Sequence, residues 1–217
     1  MKSVLLIGLG RFGRHTAMRL SELGHQIMAV DKDEERVEAC MSYVTNALVG
    51  DSTRYDFMKT LGVNDYDLCF VCIGDDFQSS LETTALLKDL GAKRVIARAS
   101  RSVHERFLLR NGADEVVYPE RQIAQWCAMR YSSDLLFDYF TMGDGYAVME
   151  IQAPKGWQGK TIAQLDLRRK AGINVLAGKK DGHINMNIGP DTVVTGEETL
   201  LVLGKSDEIT KLLESGK

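Results

Sequence analysis

Hydrophobic positions in the first half of the chain fall in short β-branched runs, each followed by an amphipathic stretch. Residues 4–8 read as a buried strand, 13–23 as a helix, 26–31 as a strand and 33–41 as a helix. A third strand follows at 45–50 and a helix at 53–61. Residues 68–73 (LCFVCI) are almost continuously apolar, which marks a parallel strand covered on both faces. A helix at 77–90, a strand at 94–99, a helix at 103–111 and a strand at 115–118 complete six βα units in order. That order predicts an α/β fold with a Rossmann-type doubly wound parallel sheet.

The pattern then changes. Pro119 stops the last strand, and 121–131 reads as a helix with Ile123, Ala124, Cys127 and Ala128 toward one side. Ser132-Ser133-Asp134 marks a break, and the short aromatic segment 135–140 reads as a hinge. Beyond it come strands at 146–152, 174–177, 184–188, 191–195 and 199–203, a Lys180-Asp181-Gly182 hairpin and a last helix at 208–213. The predicted organisation is a nucleotide-binding domain over 1–119, a crossover helix and hinge over 120–140, and a smaller α+β domain over 141–217.

Composition excludes several classes. With 44% hydrophobic and 26% charged residues the chain is neither disordered nor collagen-like, and 4 Cys in 217 residues make no disulfide scaffold. A net charge of −3 gives no basic footprint for nucleic acid. No run approaches the roughly 18 to 20 apolar residues of a membrane span. The N-terminus lacks a secretory h-region, so the expected compartment is the cytoplasm and the expected cysteine state is reduced.

The candidate chemistry starts at Gly8-Leu9-Gly10-Arg11-Phe12-Gly13, a G-x-G-x-x-G between a strand and a helix. Its first glycine allows the tight turn, its second admits a diphosphate to the backbone, and its third lets helix pack on strand. Asp31 ends the second strand, where an acid accepts hydrogen bonds from ribose hydroxyls and repels a 2′-phosphate. Lys32 follows it. Asp51 and Ser52, after the third strand, suit an adenine edge or a helix cap. Ile73-Gly74, after the fourth, suit close cofactor approach or an ordinary turn, and Arg98 suits a phosphate or a surface cation.

Other motifs are weaker. Cys69 and Cys72 have C-x-x-C spacing, but residues three apart in a strand face opposite sides and do not chelate one metal. Tyr55 and Lys59 match Tyr-x-x-x-Lys, yet they fall on the helix after the third strand. His15, His25, His104 and His183 are scattered, and solvated or capping roles suit them. Arg168-Arg169-Lys170 is a basic cluster that serves either a helix end or a second anion site.

Gly-x-Gly-Arg-Phe-Gly, Ala-Val-Asp ending strand two, Gly-Asp-Ser-Thr after strand three, Cys-Ile-Gly after strand four, Ala-Arg-Ala in strand five and Tyr118-Pro119-Glu120 together resemble the regulator-of-potassium-conductance (RCK) family. Within it the likeness is to the cytosolic regulatory subunits of Trk/Ktr-type bacterial potassium uptake systems, over nearly the whole chain. The resemblance implies that ATP/ADP or NAD(H) acts as an effector and is not turned over. It implies that Arg11 senses the terminal phosphate across a dimer interface, and that Glu120 lies near the phosphates, bridged to ATP by Mg2+ or Ca2+. It implies homodimers assembling into a tetramer or octamer ring beneath a membrane K+-translocating subunit, and a C-terminal domain able to bind cyclic di-AMP near Arg168 and Arg169. ATP and ADP would share the contacts at Asp31, so only groups that see the third phosphate favour one ring shape. The alternative reading, an NAD-dependent oxidoreductase, requires a proton-transfer residue facing the nicotinamide, for which the second lobe offers only His183.

Overall fold

The computed structural model describes residues 1–215, which divide into two compact units with the boundary between Gln122 and Ile123. The first unit runs β1 (Ser3–Ile7), α1 (Arg11–Glu22), β2 (Gln26–Asp31), α2 (Glu34–Glu38), β3 (Asn46–Val49), α3 (Tyr55–Thr60), β4 (Leu68–Val71), α4 (Phe77–Asp89), β5 (Val95–Arg98), α5 (Ser102–Arg110) and β6 (Glu115–Val117). The six strands are parallel in the order β3-β2-β1-β4-β5-β6. Successive side chains of β1 feed opposite faces of this sheet. Leu6 joins Ala17 of α1 and Val37 of α2, while Leu5 and Ile7 join Met58 of α3, Leu87 of α4 and Leu108 of α5. Burying both faces accounts for the unbroken apolar runs.

The chain order reverses between β1 and β4, so a crevice opens at the carboxyl ends of these strands. The helices that border it differ at their first turns. Asp33 caps α2 by accepting from the Arg36 N–H at 3.3 Å, and Asp76 caps α4 by accepting from the Ser79 N–H at 3.0 Å. Gly10, at the N-cap of α1, has no side chain to do this, which leaves first-turn N–H groups of a 12-residue helix for an anion.

The helix α6 (Pro119–Arg130) spans the boundary between the units. It starts two residues earlier than the sequence pattern suggests: Pro119 opens the helix, where its fixed φ and missing N–H are no handicap. The second unit continues with β7 (Leu136–Gly143), β8 (Tyr146–Gln152), α7 (Ile162–Leu165), α8 (Leu167–Ala171), β9 (Asn174–Lys180), β10 (His183–Asn185), β11 (Thr199–Lys205) and α9 (Ser206–Ser215). Its antiparallel sheet has the order β10-β9-β11-β8-β7. Ala147, Met149 and Ile151 alternate along β8 and Leu200 and Val202 along β11, packing Trp157, Leu165, Ile173 and Ile209. Asp181 and Gly182 take positive φ between β9 and β10, as a two-residue hairpin requires.

Three expectations need correction. The supposed hinge at 135–140 belongs to the edge strand β7; register shifts at Leu136/Asp138 and Thr141/Gly143 break the two-residue alternation that would have revealed it. Residues 191–195 form no sheet strand. They pair with the loop before α7 through the isolated bridge Thr161↔Val193, with the Ile162 N–H donating to the Thr192 carbonyl at 3.0 Å. His104 is neither solvated nor a cap: it is 1% exposed, its Nε2 lies 3.1 Å from Ser80 Oγ, and its Nδ1 accepts from the Ser100 N–H at 3.4 Å.

Burial, then the charges of Arg101 and Arg98, depress the His104 pKa below its ordinary 6.5. As pH falls below that value the unfolded chain takes up the proton before the folded one, so stability present above pH 6.5 is lost on acidification. Urea unfolding at pH 7 and pH 5 should therefore show a smaller loss for His104→Gln than for the parent. An identical loss in both would remove His104 as its source.

Candidate functional site

The carboxyl ends of all six parallel strands line one cavity of about 530 Å3. Ile7 ends β1 and Gly8 follows it, Asp31 ends β2 and Lys32 follows it, Gly50, Asp51 and Ser52 follow β3, Cys72, Ile73 and Gly74 follow β4, Arg98 ends β5, and Pro119 and Glu120 come after β6. Gly10, Arg11 and Phe12 add the glycine loop. Thus the candidate residues Gly8, Gly10, Arg11, Phe12, Asp31, Lys32, Asp51, Ser52, Ile73, Gly74, Arg98 and Glu120 converge, although they lie up to 112 positions apart (120 − 8).

Two residues of the glycine loop act from outside the lining. Leu9 buries its side chain in the core, and its N–H donates to Asp31 Oδ2 at 2.6 Å. At Gly13 a Cβ would overlap the Gly8 carbonyl oxygen and come within 3.0 Å of its carbon, so this glycine sets the distance between α1 and β1. The loop is thereby fixed on one side by helix packing and on the other by the acid at the end of β2.

Asp31 is 7% exposed and braces the loop around it. Its Oδ1 accepts from the Asp33 N–H at 3.0 Å, and Arg36 stands 3.9 Å from Oδ2. The carboxylate therefore arrives already oriented, with lone pairs remaining toward the cavity. Asp51 accepts from the Thr53 N–H at 3.0 Å and the Thr53 hydroxyl at 2.7 Å, and these bonds hold its carboxyl below the ordinary range. Ser52 is buried, with its hydroxyl 2.8 Å from that of Thr83, and anchors the loop on α4.

Arg98 joins the lining from β5. Arg98 is 17% exposed, donates to Glu120 Oε1 at 2.5 Å, and lies 5.8 Å from the centroid of Phe12. A Cβ on Gly74 would overlap its guanidinium, so the glycine makes this seat. Burial opposes ionisation of Glu120, but hydrogen bonds from its own N–H and from Arg98, with the charges of Arg98 and Arg11, hold its carboxyl below the ordinary range. The side-chain Nε of Arg98 is buried without an acceptor. An oriented carboxylate at Asp31 and a guanidinium at Arg98 with an unused donor, both lining one cavity, suit a ligand that carries hydroxyls and an anionic group.

The sequence pattern missed Arg36, Asp76 and Ser79, all of which line the cavity. Arg36 was legible only as part of a capped helix: Asp33 at the N-cap turns it back toward Asp31 and Asp33, the latter at 3.3 Å. Asp76 lies 3.9 Å from Lys32 and is held below the ordinary carboxylate range by bonds from Ser79. Cys72 also lines the cavity, but burial pushes its thiol up to about 12, as it does that of Cys69, so neither is a ready thiolate. In the second unit Arg168 and Arg169 are exposed, and Arg169 pairs with Asp166 at 3.0 Å. The cavity there, about 370 Å3, is lined by Trp157, Lys160, Gln164 and Lys170 among others.

A glycine loop and an acidic strand end opening on one carboxyl-edge cavity define a Rossmann-type protein. Residues 4–119 match the TrkA-N domain and residues 147–215 the TrkA-C domain, and the chain belongs to the TrkA family. It is 35% identical over 210 residues to Ktr system potassium uptake protein C of Bacillus subtilis, covering 97% of this chain and 95% of that protein. Ktr system potassium uptake protein A of the same organism is 31% identical, with 99% and 97% covered. Among solved structures, the GsuK channel bound to NAD superposes with a TM-score of 0.70 at 17% identity, over 98% of this chain and 39% of that one. That likeness, and one with a TM-score of 0.68 to the GsuK RCK domain, shows that the fold is shared. No helix among the described residues is long and apolar enough to cross a membrane.

Proposed function

We propose that the protein is a nucleotide-sensing regulatory subunit that controls potassium uptake through a separate membrane subunit. The observation that carries this reading is the cavity itself, whose lining brings Asp31 together with Arg11, Arg98 and Glu120. The near full-length likeness to two Ktr potassium uptake proteins supplies the process. Adenosine contacts at Asp31 give affinity to ATP, ADP and NAD(H) alike. Discrimination comes from Arg11 and Glu120, which meet the end of the phosphate chain. The described residues hold no cluster of three or more His, Cys, Asp or Glu side chains suited to a metal. A Mg2+ or Ca2+ ion at Glu120 would therefore take its remaining ligands from phosphate oxygens and water.

ATP favours the transport-active arrangement of a ring built from homodimers, peripheral to the cytoplasmic face of the membrane. The exposed Ile123 of α6, at 60%, together with exposed Ala124 and Ala128, supports pairing through that helix. The exposed cations Arg168 and Arg169 support a second effector contact, with cyclic di-AMP as its ligand.

Calorimetric titration with ATP, ADP, NAD and NADH tests the reading, with scattering to follow ring shape. ATP should bind more tightly than ADP and alone change the shape. Arg11→Ala should reduce the ATP/ADP ratio by about tenfold and leave ADP nearly unaffected. Equal binding of ATP and ADP with no change in shape would overturn the third-phosphate switch, and sustained hydride transfer from NADH would replace it with an oxidoreductase.

A further inference from the structure

Arg98 and Glu120 reach one corner of the cavity from different elements. Arg98 ends β5, and Glu120 is the second residue of α6, the helix that leaves the first unit. The two partners are unequally placed: the guanidinium is 17% exposed and the carboxylate 57%. The ring of Phe12 and the space left by Gly74 hold the guanidinium in place. Glu120 can swing into solvent, whereas Arg98 cannot.

The pairing also leaves Arg98 incompletely satisfied. Its planar fork carries five donors, and the carboxylate takes one through Nη2 while the buried Nε has no acceptor. A fork-to-fork pair would have used two parallel bonds. A phosphate group, with three terminal oxygens, offers acceptors that a singly engaged carboxylate does not.

We propose that Glu120 is an internal competitor for an anion seat at Arg98, occupying the guanidinium until a ligand phosphate displaces it. The proposal rests on the nucleotide reading of the cavity. No covalent step is involved: one charge-assisted hydrogen bond breaks and another forms. Every ligand whose phosphates reach Arg98 must displace the carboxylate, and a ligand that stops at the ribose does not. Exchange thus sets a threshold of phosphate charge for binding. It also releases the Glu120 carboxylate in the first turn of α6, so the state of the seat is written onto the helix that leads to the second unit.

The test is calorimetry on the full chain in EDTA, with ADP and adenosine as probes. Glu120→Gln should tighten ADP by roughly two- to fivefold, the range expected for release of one partly exposed charged pair, and leave adenosine unchanged. In the Arg98→Gln background the same substitution should give no gain for ADP. A gain that persists without Arg98 would reveal simple relief of repulsion and overturn the exchange, as would unchanged or weaker ADP binding in Glu120→Gln. Failure of the parent and both single variants to bind ADP would instead overturn the nucleotide reading and this proposal with it.

Discussion

Gly13→Ala is expected to destabilise the first unit by about 3 kcal/mol or more and to abolish nucleotide binding. The added methyl has no room. It would overlap the carbonyl oxygen of Gly8, lie 3.0 Å from its carbon, and stand 3.2 Å from Cys72 Cβ. Two of these neighbours are backbone of the glycine loop, and Gly8 itself sits at φ +93° with its own α-carbon face closed by Cys72 and Ile73 of the adjoining segment. Neither can retreat without moving β1 against β4. The helix must tilt away, carrying the first-turn N–H groups from the phosphate position. Hydrogen exchange resolved by peptide should show faster exchange confined first to β1 and α1, and guanidinium unfolding should show the loss of stability. A variant with parental exchange in these elements would mean the helix–strand distance is not set here.

Much of this arrangement was legible before any coordinates. The runs at β1, β2 and β4 are apolar because both sheet faces are covered, and the glycine loop with Asp31 follows from spacing alone. Strand order is a different kind of information. It depends on pairings between segments that are distant in the chain, and the order 3-2-1-4-5-6 is expected only because right-handed crossovers leave few alternatives. The edge strand β7 was illegible because its two register shifts erase alternation and only one end of it, Leu136, is buried.

The site divides the same way. Gly8, Gly10 and Asp31 carry local signatures, whereas Arg36, Asp76 and the Arg98–Glu120 pair do not. Arg98 reads equally as a phosphate contact or a surface cation until the fold sets Gly74 beside it and Glu120 2.5 Å away. His104 was misread for a related reason. Its helix α5 carries Glu105, Arg106 and Arg110 after it, and nothing local announces that Ser80 of α4 will meet its ring at 3.1 Å. Partners contributed by neighbouring helices are fixed by packing, which a single sequence records only indirectly.

Asp31→Ala carries the other large effect, and its two parts can be separated. The ligand loses the ribose acceptor, and the protein loses the acceptor of the Leu9 N–H at 2.6 Å and the Asp33 N–H at 3.0 Å. The Leu9 N–H is enclosed by buried residues, so leaving it unpaired costs about 1–3 kcal/mol of stability. Affinity for ATP, ADP and NAD should fall together, by roughly a hundredfold for about 2.7 kcal/mol lost, with the ATP/ADP ratio unchanged. Asp31→Asn is the informative companion. Its amide keeps the acceptor oxygen for Leu9 and Arg36 but presents an NH2 group toward the Asp33 N–H, where only an acceptor fits. It should recover most of the stability and little of the affinity. Calorimetric affinities within twofold of the parent for Asp31→Ala would remove Asp31 from the ligand site and leave it a brace for the loop; a selective loss of ATP over ADP would mean that Asp31, and not Arg11, reads the terminal phosphate.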